Sequence, residues 1–218
     1  MPVTEEQLRR MMPSAGPRLD PHLLYIGPAL EQAEIDTPER IAAFIAQLAH
    51  ESGEYRYMEE LADGSAYEGR ADLGNNFTGD GVKYKGHGPI QITGRANHEA
   101  AGRALGIDLI ANPRLLTQPQ YGTASACWFW NSRDLSLLAD RSWFRMITRI
   151  INGGYNGWED RLTYYQRNRS LLGLPPYRQT EEDAAIRAFQ TIHGLVADGD
   201  AGPRTLAALK SDYQEMVA

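Results

Sequence analysis

The sequence contains a single cysteine, Cys127, which excludes an intramolecular disulfide framework. The favoured interpretation of Cys127 is a small buried residue of the core. No run of about 20 apolar residues is present, so we expect no membrane insertion. Basic residues are outnumbered, with 22 Lys and Arg against 28 Asp and Glu, and the formal net charge is −6. Because a nucleic-acid binder needs a basic face, we expect no nucleic-acid partner.

Cofactor motifs are also missing. His50 and Glu51 begin like the zinc motif H-E-x-x-H, but Glu54 occupies the position of the second histidine. The glycines on either side of His87 are followed directly by Pro89 and lie in no strand–glycine–helix unit, so a phosphate cradle is not indicated. We therefore expect neither a metal nor any other cofactor.

What remains is an ordinary globular composition over 218 residues, of which 42% are hydrophobic and 23% charged. Such a chain can bury one good core with at most a small appendage, and we expect a monomer. Residues 1–16 carry charges where a signal peptide needs an apolar run. We therefore expect synthesis in the cytoplasm without a signal peptide.

Helical periodicity accounts for most of the chain. Thr37 fits an N-cap and Pro38 a first helical residue, and apolar residues then recur every three or four positions up to residue 52. A helix beginning near residue 20 should be kinked or divided at Gly27 and Pro28. The sequence thus predicts a mainly α fold, with further helices over residues 4–11, 94–106, 119–132, 142–153 and 158–174.

The character of the sequence changes in residues 62–94, which are rich in glycine and in turn pairs such as Asp80-Gly81. This composition predicts a long loop, with at most a short hairpin around residues 82–93. A loop of this length in a compact domain is usually functional.

Two prolines in residues 173–179 stop the preceding helix and favour an extended linker. We predict a domain boundary there, with a larger unit over residues 1–174 and a linker with a small helical tail over 175–218. In the tail, Thr180 can cap one helix and Pro203 can begin another. About forty residues hold too small a core to stand alone, so the tail should dock on the larger unit.

Glu51 falls at the edge of the apolar stripe of the helix that begins at Thr37. A half-desolvated carboxyl has a raised pKa, and a general acid working near neutral pH needs a rise from ~4.3 towards ~6. That shift costs about 2–3 kcal/mol, which a purely structural position would rarely keep. The competing interpretation is a solvated charge at a helix end, where glutamates are common.

Four motifs then occur in order: AHES at 49–52, YKGHGPIQITGRANH at 84–98, IINGG at 150–154 and DRLTYY at 160–165. Together they resemble the catalytic domain of glycoside hydrolase family 19 over roughly residues 35–174. That family includes chitinases and peptidoglycan-cleaving phage endolysins. The resemblance implies a mainly α, lysozyme-like fold of two lobes, with a long glycine-rich loop or short hairpin at a sugar cleft. It also implies hydrolysis with inversion, in which one glutamic acid donates a proton and a second carboxylate activates water.

Carried over by motif, Glu51 matches the general acid, and Glu60 matches the base of endolysin-like members. Glu59 is adjacent and Glu68 lies in the same loop, so Glu68 remains an alternative base. Thr93 matches the hydroxyl that helps to hold the attacking water. The resemblance assigns contacts with the sugar to one aromatic and four polar residues: Tyr84, Gln91, Asn97, Asn152 and Arg161. The guanidinium of Arg161 can fix either a carboxylate or a carbonyl of the substrate.

Inverting hydrolysis needs carboxyls roughly 6.5–9.5 Å apart, whereas nine residues of continuous helix span ~13 Å. The helix must therefore end after Glu51 and the chain must fold back, and Gly53 is a reasonable stop. Trp158 and Tyr155 could stack on a sugar ring, but core packing is an equal or better interpretation for both. His87 stands where the family usually has arginine, which replaces a permanent cation with a titratable group.

Residues 185–209 resemble the later half of a peptidoglycan-binding domain 1 repeat, so the tail either adds wall affinity or buttresses the fold. We predict an endolysin that hydrolyses the glycan strands of peptidoglycan, acting on the cell wall in the periplasm after release by another factor. The alternatives are a chitinase acting on N-acetylglucosamine polymers and a non-catalytic protein that binds cell-wall glycans.

Overall fold

The structure, a computed structural model, describes residues 2–217. No helix in this part of the chain is both long enough and apolar enough to cross a membrane. Short 3-10 turns lie at Gly16–Leu19, Ser65–Tyr67, Ala71–Leu73 and Pro113–Thr117. The α-helices are α1 (Glu5–Met11), α2 (Asp20–Gln32), α3 (Pro38–Ser52), α4 (Asp80–Lys83), α5 (Arg95–Leu105), α6 (Pro119–Asn131), α7 (Leu135–Ala139), α8 (Phe144–Asn152), α9 (Trp158–Leu171), α10 (Gln179–Ile192) and α11 (Pro203–Val217).

Helix α3 forms the centre of the core. The Thr37 side chain caps its first turn by accepting the N–H of Arg40 at 3.3 Å, and Gly53 ends it in the left-handed region. The nine residues from 41 to 49 are all buried, and they pack mainly against α9. Phe44 meets the edge of Trp130 from α6 at a centroid distance of 5.5 Å. The predicted mainly α fold and the ends of this helix are confirmed.

Two features of the helices differ from what the sequence predicts. Of the kink or division predicted at Gly27 and Pro28, the division is absent, because helix α2 continues through Pro28 to Gln32. A proline removes one hydrogen bond and displaces the carbonyl four residues earlier, and here that carbonyl belongs to Leu24, which is highly exposed and open to water. Helix α7 was not predicted, because five residues are too few to show a helical period.

The glycine-rich segment 62–94 holds almost no regular backbone pairing. The predicted hairpin is reduced to one residue pair, in which His87 and Ile92 exchange two backbone hydrogen bonds of 3.1 and 2.9 Å. Buried Asn75 fixes the outer part of the loop by donating to the Tyr67 carbonyl at 2.9 Å and accepting the N–H of Arg95 at 2.8 Å. Side chains, not a sheet, therefore hold the loop in place.

The tail packs against the larger unit, and the segment leading to it is not a free linker. Gln166 of α9 forms two hydrogen bonds with the backbone of Tyr177, at 2.7 and 3.0 Å, and the Tyr177 ring is buried against the core. Arg169 donates to the carbonyl of Pro175 at 2.6 Å. The two prolines do interrupt the helices as predicted, but the intervening chain is fastened to α9 along its length.

Candidate active site

Glu51 lies in the last turn of α3, where its side chain is 18% exposed. Beyond Gly53 the chain turns back sharply, and the N–H of Glu54 donates to the Ala49 carbonyl at 2.8 Å. Glu54 and Tyr55 both adopt positive φ values of 54° and 63°, which residues other than glycine seldom do. The helix thus ends one residue after Glu51 and the chain folds back, as the spacing of the two carboxylates requires.

A buried guanidinium holds Glu51 from behind. Nη2 of Arg161, a residue of α9 that is 1% exposed, lies 2.5 Å from Oε1 of Glu51. Arg161 also donates to Oε1 of Gln47 and, at 3.3 Å, to the Asn156 carbonyl. Of the two roles open to the Arg161 guanidinium, the structure shows the contact with a carboxylate, that of the candidate acid.

Gln47 connects this ion pair to a third helix. It precedes Glu51 by one turn on α3 and is buried, and its amide nitrogen donates to Oγ1 of Thr148 on α8 at 2.8 Å. Three helices therefore converge on one carboxylate through buried polar side chains. The sequence argument expected mainly apolar surroundings for Glu51, and the structure instead supplies a cation with its own hydrogen-bonded support.

His50, which precedes the candidate acid, is enclosed by the loop between α8 and α9. Its Nδ1 lies 2.6 Å from Oδ2 of Asp160. Gly157 passes directly over the ring with φ of 72°, and a Cβ at this position would lie 2.2 Å from Cε1 of His50. Only glycine fits there, since both the backbone conformation and the available space exclude a side chain.

Glu60 lies on the returning arm of the chain, beside the glycine-rich loop. Its backbone N–H donates to the Gly86 carbonyl at 2.9 Å. Its carboxylate accepts the N–H of Gly86 at 2.9 Å and the hydroxyl of Tyr67 at 2.8 Å. Each oxygen of this half-buried carboxylate thus has one fixed donor, which orients the group but leaves lone pairs for a further partner.

The neighbouring acids have other partners. Glu59 forms ion pairs with Lys85 at 3.1 Å and with Arg114 at 3.0 Å. Partial burial opposes its ionisation, but the hydrogen bond from Lys85 and the Arg114 charge outweigh it and hold the pKa of Glu59 below its ordinary value. Glu68, the alternative base, accepts two backbone N–H groups, from Gly79 at 2.7 Å and Gly81 at 2.8 Å. Both carboxylates are therefore engaged in holding the loop.

The remaining polar residues of the loop form a connected rim. Gln91 donates to the carbonyls of Tyr57 and Gly88 at 3.1 and 2.8 Å. The Thr93 hydroxyl donates to the Gln91 carbonyl at 3.0 Å, and the Asn97 amide donates to the Thr93 carbonyl at 2.8 Å. These three half-buried side chains are connected by hydrogen bonds, and Gln91 joins them to the arm that carries Glu60 through the Tyr57 carbonyl.

Tyr84 is a correction. It is 0% exposed, and its hydroxyl donates to the Ile110 carbonyl at 3.0 Å, so this aromatic cannot flank an open cleft. A tyrosine between two lysines in a glycine-rich loop gives no sign of burial in the sequence. The ring of Tyr84 packs near His98 of α5, on the buried side of the loop.

The last assigned residue, Asn152, ends helix α8. Oδ1 of half-buried Asn152 accepts the N–H of Asn156 at 3.2 Å, which closes the turn that carries Gly157. Trp158 packs against the core with its ring centroid 5.9 Å from that of Phe144, so core packing is the better interpretation for it. Tyr155 is more exposed and lies under the guanidinium of Arg145 at 4.5 Å from the ring centroid.

His87, the departure from the family pattern, is buried, and no ion pair joins its ring to an acid among the described residues. Its Nδ1 lies 3.2 Å from Nε2 of His98, which is also buried. Burial lowers the pKa of His87 and lowers that of His98 to about 4, so both rings are neutral at pH 7. The position is a neutral buried contact in this chain and supplies no cation to the site.

Sequence reasoning missed Gln47, Tyr67 and Thr148, which position the two candidate carboxylates. One signal was available for Gln47, a polar residue on the apolar face of the helix and four positions before Glu51. Nothing in the sequence pairs Thr148 with it, because the contact joins residues 101 positions apart. Among the described residues, no group of three or more His, Cys, Asp or Glu side chains is arranged to hold a metal ion.

Two protein-family models match this chain. The family model described as "Chitinase class I" matches residues 32–142, and the model described as "Putative peptidoglycan binding domain" matches residues 179–209. An endochitinase of Arabidopsis thaliana is 38% identical over 143 residues, which cover 62% of this chain and 49% of that protein. Endochitinase B of Nicotiana tabacum is 34% identical over 174 residues, covering 62% and 54%. The chain thus spans about half the length of these curated relatives.

Solved structures show the same fold. Chitinase C from Streptomyces griseus HUT6037 superposes with a TM-score of 0.64 at 27% identity, covering 81% of this chain and 79% of that one. A bacterial family 19 chitinase superposes with a TM-score of 0.67 at 27% identity, covering 82% and 98%. The fold over about four fifths of the chain is therefore shared with these chitinases.

Proposed function

We propose, from the premise that the chain belongs to the chitinase class I family, glycoside hydrolase family 19, that it hydrolyses glycosidic bonds of an N-acetylhexosamine polymer with inversion. The observation that carries the proposal is the partly exposed carboxyl of Glu51 at the end of a buried helix, held from behind by buried Arg161. A surface charge at a helix end has no need of a buried guanidinium and two supporting side chains. This arrangement favours an acid with a fixed orientation.

In the proposed reaction, the protonated form of Glu51 donates its proton to the glycosidic oxygen as the bond from the anomeric carbon to that oxygen breaks, and the ion pair with Arg161 forms again. The carboxylate that forms lies 2.5 Å from the Arg161 guanidinium, so the negative charge developing on Glu51 is stabilised without rearrangement. Gln47 fixes the guanidinium from the other side. The leaving sugar receives the proton, and the charge remains within the protein.

Glu60 is the proposed base. Tyr67 and the Gly86 N–H fix its orientation, and its free lone pairs can accept the proton of the attacking water. The water oxygen bonds to the anomeric carbon on the face opposite the leaving group, which inverts the configuration. Thr93, close by in the rim, can accept a hydrogen bond from the same water. Glu68 remains the alternative base, because it too accepts two hydrogen bonds, from the backbone N–H groups of Gly79 and Gly81.

Bacterial peptidoglycan is the proposed polymer. It is supported by the match of residues 179–209 to a peptidoglycan-binding family and by the docking of that tail on the larger unit. Chitin is the second candidate, favoured by relatives that are named endochitinases. Both polymers are β-1,4-linked and contain N-acetylglucosamine, so the same two carboxylates serve either one.

Replacing the two carboxylates separately tests the chemistry. Glu51→Gln and Glu60→Gln should each lower kcat at least about 100-fold, since general acid–base catalysis contributes 10²–10⁴. Glu59→Gln is the matched control, because it removes an adjacent carboxylate that is already paired with two cations. NMR of the first product should show the α-anomer from a β-linked substrate. Unchanged turnover by Glu51→Gln would refute the assignment of the acid.

Purified cell walls and chitin should be offered to the wild-type protein in parallel. Release of reducing ends from walls, with the fragment identified by mass spectrometry, supports peptidoglycan as the substrate. Release from chitin alone supports the second candidate. Binding of walls without cleavage of either polymer would contradict hydrolysis and leave a glycan-binding protein.

A further inference from the structure

The tail contributes one buried acid to its contact with the larger unit. Glu182 of α10 is 4% exposed. Its carboxylate accepts the backbone N–H groups of Arg145 at 3.0 Å and Met146 at 3.1 Å, and the hydroxyl of Tyr177 at 2.6 Å. The next residue, Asp183, forms a more exposed ion pair with the Arg145 side chain at 3.3 Å. Only Glu182 of these two reaches the backbone of the larger unit.

The two N–H groups belong to the first turn of α8. The residue that precedes this helix, Trp143, makes no side-chain capping bond. The first N–H groups of a helix have no partner within it, and a carboxylate there also interacts favourably with the helix dipole. Glu182 therefore caps α8 from a position 36 to 37 residues further along the chain.

Helix α8 leads directly to the candidate acid. Thr148 follows Met146 by two residues, is buried, and accepts the Gln47 amide at 2.8 Å. Gln47 in turn accepts from Arg161, and Arg161 donates to Glu51 at 2.5 Å. Hydrogen bonds at the start of α8 and at Thr148, joined by the backbone of that helix, thus link the tail to the proposed catalytic carboxyl.

We propose that Glu182 is a positioning residue for the hydrolase site, and that the tail completes this site in addition to any affinity for walls. The kinetic part of the inference rests on the proposed function. A helix that loses its cap can shift or fray at its first turn, which would move the Thr148 hydroxyl away from Gln47. Hydrogen bonds weaken steeply with distance and angle, so Arg161 would hold Glu51 less precisely. Misplacement by 1 Å can cost about 100-fold in rate.

The test compares Glu182→Gln with Asp183→Asn on a soluble glycan oligomer that lacks a wall surface. Glu182→Gln should lower kcat between about 10- and 100-fold with KM little changed, whereas Asp183→Asn should leave both constants near wild type. Tyr177→Phe removes one donor to Glu182 and should lower kcat in the same direction by less. Thr148→Val removes the hydrogen bond to Gln47 that belongs to the same connection. Combining Thr148→Val with Glu182→Gln should therefore lower kcat little further than either variant alone.

Amide hydrogen exchange of α8, measured on the same proteins, separates the two proposals. If the wild type cuts glycan but Glu182→Gln keeps its kcat and loses only binding to purified walls, the positioning role is overturned and the proposed function stands. If the wild type cuts nothing, the proposed function fails, and faster exchange of α8 in Glu182→Gln but not in Asp183→Asn still supports the positioning role. Equal exchange in both variants overturns it.

Discussion

The contact between Glu51 and Arg161 should be measurable as a coupling energy in a double-mutant cycle. Arg161→Met keeps an apolar stem but removes a guanidinium that is 1% exposed. The carboxylate of Glu51 and the side-chain carbonyl of Gln47 then lose their donor. Breaking a buried ion pair from one side costs about 3–5 kcal/mol, and we expect the free energy of unfolding to fall by that amount.

The second single variant, Glu51→Gln, keeps an acceptor but leaves the guanidinium without its counter-charge, and we expect a loss of about 1.5–3 kcal/mol. In the double variant no buried charge is left unpaired. The loss in the free energy of unfolding should therefore be smaller, by about 2 kcal/mol, than the sum of the losses in the two single variants. Denaturant unfolding followed by tryptophan fluorescence can report this, since Trp130 and Trp143 are 2% exposed. Additive losses, within about 0.5 kcal/mol, would refute the view that the pair acts as a unit.

Three further outcomes can be checked by standard assays. Gly157→Ala should destabilise the fold by about 1–3 kcal/mol more than Gly173→Ala. The two glycines share nearly the same φ, 72° and 74°, but only Gly157 lies against a side chain, that of His50. Equal losses of stability in thermal unfolding would contradict the predicted clash. Burial raises the pKa of Glu182 from 4.5 to about 7 in spite of its three hydrogen bonds. Its contribution to stability is therefore fully present below pH 4.5 and is lost as pH rises through 7, so the wild type should lose up to about 3 kcal/mol relative to Glu182→Gln between pH 5 and 8; parallel stability curves would count against this. Burial raises the pKa of the Cys127 thiol to about 12, so an aromatic disulfide reagent should label it only as fast as the protein unfolds, and immediate labelling of the native protein would show that the thiol is accessible.

The sequence predicted those features that local chemistry determines. Thr37, Pro38 and Gly53 mark the ends of α3 because capping and left-handed backbone depend only on neighbouring residues. The turn back after Glu51 followed from the spacing of the two carboxylates that the resemblance assigned. The resemblance to family 19 supplied the remaining assignments.

Features that depend on contacts between distant segments could not be predicted from the sequence. Tyr84 and Glu182 have polar neighbours in the chain, yet both are buried by parts of the molecule far from them in sequence. Arg161 reaches Glu51 across 110 residues, and no periodicity records that it faces the acid and not the substrate. Partners for buried polar groups are chosen by packing in three dimensions.

The fastened segment before α10 has a consequence for how the protein would work on an insoluble polymer. When a binding module is joined to an enzyme by a flexible linker, the enzyme can reach many positions around one binding site, over a distance that grows with linker length. Here Gln166 and Arg169 fasten the backbone at Tyr177 and Pro175, so the two parts of the protein keep one relative position. If the tail binds a glycan strand, Glu51 and Glu60 would therefore meet the polymer at one fixed distance and angle from the point where the tail is bound. Each binding event would then expose few glycosidic bonds to cleavage, and turnover on walls would depend on how fast the protein dissociates and binds again.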